Sequence, residues 1–220
     1  MERAEEIQEI VRQHGIRRLV HFTPEKNLKT ICERGLLCRQ VLNRLKIPYI
    51  FTDDRLVSQH KWHARFVSVS ITFPNDLMFL AVRQRLRFEP FVVLGISPEA
   101  LWRCKCLYLP MNAARHEFQS ANLESYSSPE ALSNLFTGEG RPHGLPKAYT
   151  SDRQAEVLVE TCLPPEFIRE VFVENVPQKE RVDVMLRPFN RQALLRQALF
   201  RRHPYSPLFE RQLIGELIHG

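Results

Sequence analysis

Short apolar segments separated by polar ones run along the whole chain, and their spacing predicts both helices and strands. Residues 3–14 place Ile7, Ile10 and Val11 at helical spacing among charged positions, which is typical of an amphipathic helix with one buried face. Gly15 follows, and glycine commonly ends a helix because it adopts the left-handed conformation without steric cost. A short N-terminal helix is therefore predicted.

A buried strand and a second helix are predicted next. Residues 19–22 are apolar except for one histidine, and a short apolar run of this kind is typical of a core strand. Thr23 followed by Pro24 has the pattern of a helix cap with proline at the first helical position. We therefore expect a helix over residues 24–33 that ends before Gly35.

Further strands and helices alternate irregularly along the rest of the chain. Strands are predicted at residues 66–73, 91–96, 154–159 and 168–174, and helical segments at residues 76–87, 98–102, 129–135 and from 189 onward. The last helix would place Leu194, Leu195, Ala198 and Leu199 at core spacing. Residues 40–65 are predicted to be a long loop with a short helical turn, and residues 116–153 a second long loop that is expected to be mobile and to lead directly into a strand.

The size and charge of the chain bound its class. A chain of 220 residues can bury one hydrophobic core, so we treat residues 1–220 as a single domain. The formal net charge is +6 and is carried mainly by arginine, whose planar group suits phosphate. This charge is compatible with an anionic partner and equally with an ordinary basic surface, and it does not separate DNA from NAD+.

The five cysteines indicate neither a disulfide framework nor a metal site. Their number is odd, and Cys104 and Cys106 lack a second pair that would complete the spacing of metal ligands. We interpret them as reduced thiols and expect no metal. Residues 1–15 are polar, and no apolar run reaches the roughly eighteen residues of a membrane span. We therefore expect a cytoplasmic protein.

Three side chains are candidates for chemistry. His21 ends an apolar strand, where sheets often place ligand groups, although a lone histidine is more often a core residue bonded to backbone. Glu156 lies in an apolar strand two residues after Gln154, so both side chains face the same way, but the solvent face of an edge strand has the same pattern. Arg55 lies in a polar loop, where it could clamp a pyrophosphate or be solvated.

Two separated segments of the chain share the pattern of one known family. The matching residues are 19–23 (LVHFT), Asn27, Leu28, Ile31 and 35–37 in the first segment, and 152–159 (DRQAEVLV) with 164–168 (PPEFI) in the second. Both segments resemble the DarT toxins, and residues 54–56, 67–71, 92–96 and 112–114 resemble one branch of that family. The resemblance covers about residues 18–174, which leaves residues 189–220 as a helical C-terminal extension.

The resemblance implies an ADP-ribosyltransferase fold, an α+β architecture in which a split, curved β-sheet with flanking helices holds NAD+ in a cleft. It also implies a base of single-stranded DNA as acceptor and, as partner, an antitoxin that removes ADP-ribose from DNA, often with a macrodomain. The middle of the chain differs from that of the thymidine-modifying members, so both thymine and guanine remain candidates. An RNA or tRNA acceptor, and a catalytically silent module that binds NAD+ or nucleic acid, are the alternatives.

The family motifs also imply a role for each matching residue on the NAD+ side. His21 is implied to bind the adenosine ribose, and the backbone around Phe22 to hold the nicotinamide amide. Thr23 and Asn27 are implied to line the same pocket. Arg55 is implied to anchor the diphosphate, and we count it as catalytic together with the central carboxylate.

Glu156 is implied to be that carboxylate. It would stabilise the positive charge that develops on the ribose as nicotinamide leaves, and it would take the proton of the attacking base. Four residues in and after the preceding loop are expected to select the base: Lys147, Tyr149, Arg153 and Gln154. A single-stranded base would stack on an aromatic side chain, for which Tyr149, Trp62 and Phe118 are the candidates.

Overall fold

Strands and helices alternate in the computed structural model, which describes residues 2–50, 61–118, 122–138 and 140–210. The strands are β1 (Leu19–Pro24), β2 (Leu36–Leu37), β3 (Phe66–Ile71), β4 (Phe91–Ile96), β5 (Cys106–Leu109), β6 (Glu156–Glu160), β7 (Cys162–Leu163), β8 (Ile168–Val173) and β9 (Ala193–Leu195). The α-helices are α1 (Arg3–His14), α2 (Leu28–Arg34), α3 (Arg39–Arg44), α4 (Asp76–Arg85), α5 (Ala100–Arg103), α6 (Pro129–Asn134) and α7 (Val176–Leu186). None of the helices in these ranges is long and apolar enough to cross a membrane.

A mixed and mostly antiparallel sheet forms the centre of the molecule. Over the described residues its strand order is β5–β6–β3–β1–β4–β8–β9, with β8 and β9 paired in parallel. Successive residues of a strand face opposite sides, so Leu19 packs into one core cluster and Val20 into another. Helix α1 covers the first side through Ile7, and helix α4 covers the second through Phe79. The predicted α+β class is confirmed.

The sheet splits between β1 and β3. These strands pair only at Leu19–Ile71 and Val20–Ser70, whereas β1 pairs with β4 along its full length, as far as Pro24. Beyond Val20 the two strands separate, and the Nδ1 atom of His21 reaches across to the carbonyl oxygen of Ser68 at 2.8 Å. A cleft opens at this point, as the predicted split sheet requires.

The second helix begins later than predicted. Thr23 and Pro24 belong to β1, a 3-10 turn spans Glu25–Asn27, and α2 begins at Leu28. Pairing of β1 with β4 continues to the Pro24–Phe91 pair, so the hydrogen bonds and burial of the sheet outweigh the local capping signal. Proline is tolerated at this end of a strand because its missing N–H interrupts no further pairing.

The segment directly after residue 189 is not the predicted helix, although Gln197–Phe200 form a 3-10 helix and residues 206–210 are helical; residues 211–220 lie outside the described residues. Residues Ala193–Leu195 form the edge strand β9, which pairs with β8. Leu194 and Leu195 are 43% and 47% exposed, and Ala198 is also exposed, so of the four residues expected in the core only Leu199 is buried. Pairing with β8 is a long-range contact, which overrides the helical spacing of this short segment.

Candidate active site

The cleft at the split of the sheet is bounded by β1, β3, α2 and α3. It encloses about 1020 Å³ of space, a figure that includes the open solvent at its mouth. His21, Thr23, Asn27, Ser68 and Glu156 are among its lining residues. The cleft therefore brings together four of the predicted site residues and one further polar residue, Ser68.

Glu156 is the first residue of β6 and lies inside the protein. Strand β6 pairs with β3 on one side and β5 on the other, so the alternative of a solvent-facing edge strand is excluded. The side chain is 3% exposed, and its Oε2 accepts a hydrogen bond of 2.7 Å from the hydroxyl of Ser68. Its Oε1 has no hydrogen-bond partner among the described residues.

Burial controls the proton affinity of Glu156. Loss of hydration raises the pKa of the carboxyl group to about 7, against smaller opposing effects of the Ser68 hydroxyl and the Ala113 backbone. A carboxyl group with this pKa exchanges a proton close to neutral pH, as a general base must. Oε1 is itself buried and keeps an acceptor position that no side-chain donor of the described residues uses.

Ser68 connects the two halves of the split. Its hydroxyl donates to Glu156, and its carbonyl oxygen accepts from Nδ1 of His21. Burial lowers the pKa of His21, although the Ser68 carbonyl opposes the shift, so the imidazole is neutral with its proton on Nδ1. His21 is bonded to backbone, as the core interpretation expects, and it also lines the cleft, so its role as a ligand group stays a prediction. The alternation of Ser68 and Ser70 with apolar residues in β3 was the signal that could have identified Ser68.

Asn27 fixes one wall of the cleft. Its Nδ2 donates to the Thr23 hydroxyl at 3.1 Å and to the Ile50 carbonyl at 3.2 Å, and its Oδ1 accepts from the Ile50 N–H at 3.0 Å. Thr23 is buried. The Phe22 ring stacks on Phe79 at 4.4 Å. The predicted contact with the nicotinamide amide concerns the backbone of Phe22 and not its ring. Arg55 lies outside the described residues.

The residues expected to select the base lie before β6 and in different environments. The strand was predicted to begin at Gln154, but β6 begins two residues later, at Glu156. The Gln154 N–H instead donates to the Asp152 carboxylate at 2.7 Å. Lys147 is exposed and Tyr149 is half-buried. The side chain of Arg153 is only 10% exposed and forms an ion pair with Asp76.

Side chains bind the backbone of residues 145–149, within the loop that the sequence predicted to be mobile. Arg141 donates to the carbonyl oxygens of Leu145, Pro146 and Tyr149. The Thr72 hydroxyl donates to the Ala148 carbonyl at 2.7 Å. These bonds satisfy backbone groups that the loop composition leaves without a secondary-structure partner.

Two aromatic candidates for base stacking differ in accessibility. Phe118 is 2% exposed and packs edge-on against Tyr126, so the expectation that it stacks on a base is wrong. Trp62 is half-buried and packs edge-on against Phe66.

No cluster of His, Cys, Asp and Glu within the described ranges is arranged to hold a metal ion.

Comparisons with known proteins point to one family. The sequence profile of DarT, described as an ssDNA thymidine ADP-ribosyltransferase, matches residues 20–203. A search of curated protein sequences finds no match. The profile match includes the Asp152–Val159 region and extends past residue 174, beyond the range that the sequence motifs cover.

Solved structures share the fold. Thermus sp. 2.9 DarT in complex with ADP-ribosylated ssDNA has a TM-score of 0.63 and 17% sequence identity, over 85% of this chain and 97% of that chain. The same protein in complex with NAD+ has a TM-score of 0.56, also at 17% identity, over 84% and 97% of the two chains. Thermosipho africanus DarTG in complex with ADP-ribose has a TM-score of 0.57 at 17% identity, over 84% of this chain. This chain spans about half the length of that DarTG chain, of which 51% is covered.

Proposed function

The chain belongs to the DarT family of single-stranded-DNA ADP-ribosyltransferases, and we propose that it transfers ADP-ribose from NAD+ to thymidine with Glu156 as the catalytic carboxylate. The position of Glu156 carries this proposal. It is a buried carboxylate that lines the cleft, held by Ser68 and with a second oxygen that has no hydrogen-bond partner among the described residues. NAD+ is the donor in this family, and a bound NAD+ is present in a Thermus relative of the same fold.

The proposed reaction exchanges one bond at the anomeric carbon of a ribose. The bond from this carbon to the nicotinamide nitrogen breaks, nicotinamide leaves with the electron pair, and positive charge develops on the ribose. A carboxylate beside the sugar stabilises this charge, most strongly where water is excluded. Glu156 meets this requirement because it is almost completely buried.

The acceptor must lose a proton as it attacks. In thymidine the ring nitrogen N3 carries the available proton, since N1 is bonded to deoxyribose. The new bond joins N3 to the ribose carbon, and the proton passes to Glu156, whose pKa of about 7 allows it to accept and later release this proton at neutral pH. The hydroxyl of Ser68 keeps the carboxylate oriented during both steps.

The NAD+ side of the cleft is assigned to His21, Thr23, Asn27 and Arg55. A neutral imidazole at His21 presents its second nitrogen as an acceptor for a ribose hydroxyl. The polar atoms of Asn27 are bonded to Thr23 and Ile50, so we assign it to the shape of the pocket. Arg55 remains our candidate for the diphosphate, since a guanidinium binds two phosphate oxygens at once.

We assign the acceptor side to residues 145–155, named the acceptor loop below. Lys147 is exposed and can pair with a DNA phosphate. Tyr149 is half-buried and is our candidate for stacking on the base. Gln154, two residues before Glu156, is our candidate for hydrogen bonds to the edge of the base.

A partner and a cellular setting follow from the family. We propose that the protein is a toxin that acts in the cytoplasm, where DNA and NAD+ are both present. Its partner would be an antitoxin that removes ADP-ribose from DNA, with a macrodomain as the expected type. Similarity to Thermosipho africanus DarTG supports this setting.

The decisive test is a mass measurement. The wild-type protein is incubated with NAD+ and single-stranded oligonucleotides that each offer one reactive base. We expect an ADP-ribose adduct on the thymine oligonucleotide, and no adduct with Glu156→Gln, which keeps the size of the side chain. Glu160→Gln, at the other end of β6 in an ion pair with Arg65, is the matched control and should act like the wild type.

Each other result corrects a named part of the proposal. An adduct on guanine alone would change the base, and an adduct on RNA alone would change the acceptor. Normal transfer by Glu156→Gln would refute its catalytic role. No adduct on any nucleic acid would refute the proposed activity.

A further inference from the structure

One buried carboxylate joins three separate segments next to the site. Asp76, the first residue of α4, has no exposed side-chain surface. Its Oδ1 accepts from Nε of Arg153 at 2.9 Å, and its Oδ2 accepts from Nη2 of the same arginine. Oδ2 also accepts the backbone N–H of His203 at 2.9 Å. The carboxylate thus connects α4 to the acceptor loop and to residues 197–210, named the C-terminal strap below.

The strap packs on the acceptor loop through aromatic rings. His203 contacts Tyr149 edge-on at 5.0 Å, and Tyr205 contacts the same ring at 5.1 Å. The Arg153 guanidinium lies over the Phe209 ring, with its Cζ atom 5.9 Å from the ring centroid. Burial lowers the pKa of His203 to about 4, so its ring is neutral and packs as an aromatic group. The strap therefore covers the ion pair and one side of the loop.

The ion pair lies on a short stretch of backbone that ends at Glu156. Arg153 lies three residues before Glu156, between the Asp152 carboxylate, which holds the Gln154 N–H, and the start of β6. A planar guanidinium bound through two nitrogens has a defined orientation as well as a position. A change at Asp76 would therefore move Gln154 relative to Glu156, whereas the NAD+ side of the cleft is built from β1, α2 and β3.

From these contacts we infer that Asp76 and Arg153 are positioning residues, which fix the acceptor loop beside Glu156 with the C-terminal strap as their cover, and that Arg153 does not touch DNA. This inference rests on the proposed function, since it takes residues 145–155 as the part that meets the base. It replaces the role in base selection that the sequence motif implied for Arg153.

The chain offers a matched control for this inference. Arg83, also on α4, pairs with Glu174 and donates to the carbonyl of Phe200 in the strap. This second ion pair resembles the first in helix, charge and contact with the strap, but it does not contact the acceptor loop in any hydrogen bond between described residues. Glu174→Gln therefore loosens the strap without acting on the loop directly.

The experiment compares Asp76→Asn and Glu174→Gln in the full chain. Steady-state transfer to a thymine oligonucleotide gives kcat and KM, and calorimetry gives the affinity for NAD+. For Asp76→Asn we expect kcat/KM for DNA to fall about 10- to 100-fold, as misplacement by roughly 1 Å does, with NAD+ affinity unchanged. Glu174→Gln should leave both quantities close to the wild type.

A second pair of measurements covers misfolding and direct DNA contact. Asp76→Leu with Arg153→Met removes both charges, and such apolar replacements often restore stability, but we expect transfer to stay low because the directional contact is lost. Binding of single-stranded DNA weakens with salt, and loss of one phosphate contact lowers the slope of log K against log [salt] by about 0.7. Arg153→Met alone should leave this slope unchanged.

Four results would overturn the inference. These are a parallel loss of NAD+ affinity and DNA transfer, full transfer by Asp76→Asn, full transfer by the double variant, and a reduced salt slope for Arg153→Met. A wild-type protein that modifies no DNA would overturn the proposed function as well. An active wild type with an equally active Asp76→Asn variant would overturn the positioning role alone.

Discussion

Replacing Glu156 by glutamine should abolish transfer and at the same time stabilise the protein at high pH. The carboxyl group of Glu156 has a pKa of about 7 in the folded protein, against 4.5 for the unperturbed group. Between these pH values the folded protein holds a proton that the unfolded chain releases. The group therefore contributes stability at low pH that is lost as the pH rises through 7. Glutamine carries no charge at any pH and keeps the acceptor for Ser68.

The size of the effect follows from the two pKa values. Ionisation of the buried group costs the folded protein about 3 kcal/mol at pH 8 and less than about 1 kcal/mol at pH 5, at about 1.4 kcal/mol per pKa unit. The cost of the glutamine amide in the same pocket is equal at both pH values. The free energy of unfolding of the variant, measured relative to that of the wild type, should therefore be about 2–3 kcal/mol higher at pH 8 than at pH 5. This corresponds to roughly 5–10 °C in Tm.

Urea unfolding of both proteins at pH 5 and pH 8 measures this difference. Glu160→Gln is the control, because its ion pair with the largely exposed Arg65 contributes little. A stability difference between wild type and Glu156→Gln that is the same at both pH values would refute the reasoning. Glu156 would then not be a buried carboxyl group with raised proton affinity.

Three further variants test other contacts of the site. Ser68→Ala removes a hydrogen bond that lowers the Glu156 pKa, so the acidic limb of kcat/KM should move up by about one pH unit or more; an equal loss at every pH would contradict this. Arg55→Ala should raise KM for NAD+ without changing Tm, and an unchanged KM would remove it from the diphosphate site. Gly35→Ala should cost at least about 2 kcal/mol in urea unfolding, because φ is +80° and the new Cβ would lie 2.3 Å from the Leu163 carbonyl oxygen; wild-type stability would contradict the close approach.

Local pattern was sufficient where local forces decide the structure. Strands β3, β4 and β8 and helices α4 and α6 lie close to their predicted positions, because alternating apolar residues and proper caps act over a few neighbouring residues. Ser128, for example, caps α6 through the N–H of Ala131, ahead of the proline at residue 129. The short strand β5 and helix α7 have weaker local signals and were not predicted.

Long-range pairing decided the remaining elements. Pro24 belongs to a strand because β4 pairs with it, and Leu194 and Leu195 are extended because β8 binds their backbone. No window of sequence contains both partners of these contacts. The helical spacing around residue 194 was therefore a correct observation that led to a wrong prediction.

The sequence alone identified the family and singled out Glu156 as the candidate carboxylate, because the motifs around His21 and Glu156 are local and specific. What the tertiary structure decided is the environment of each residue. Glu156 is buried between two strands, Ser68 joins it to His21 across the split, and Arg153 is enclosed by Asp76 and the strap. These facts depend on burial and on contacts between residues far apart in the chain, and such contacts set both pKa and accessibility. Arg153 and Gln154 are neighbours in one motif, yet only packing places the first in an enclosed ion pair.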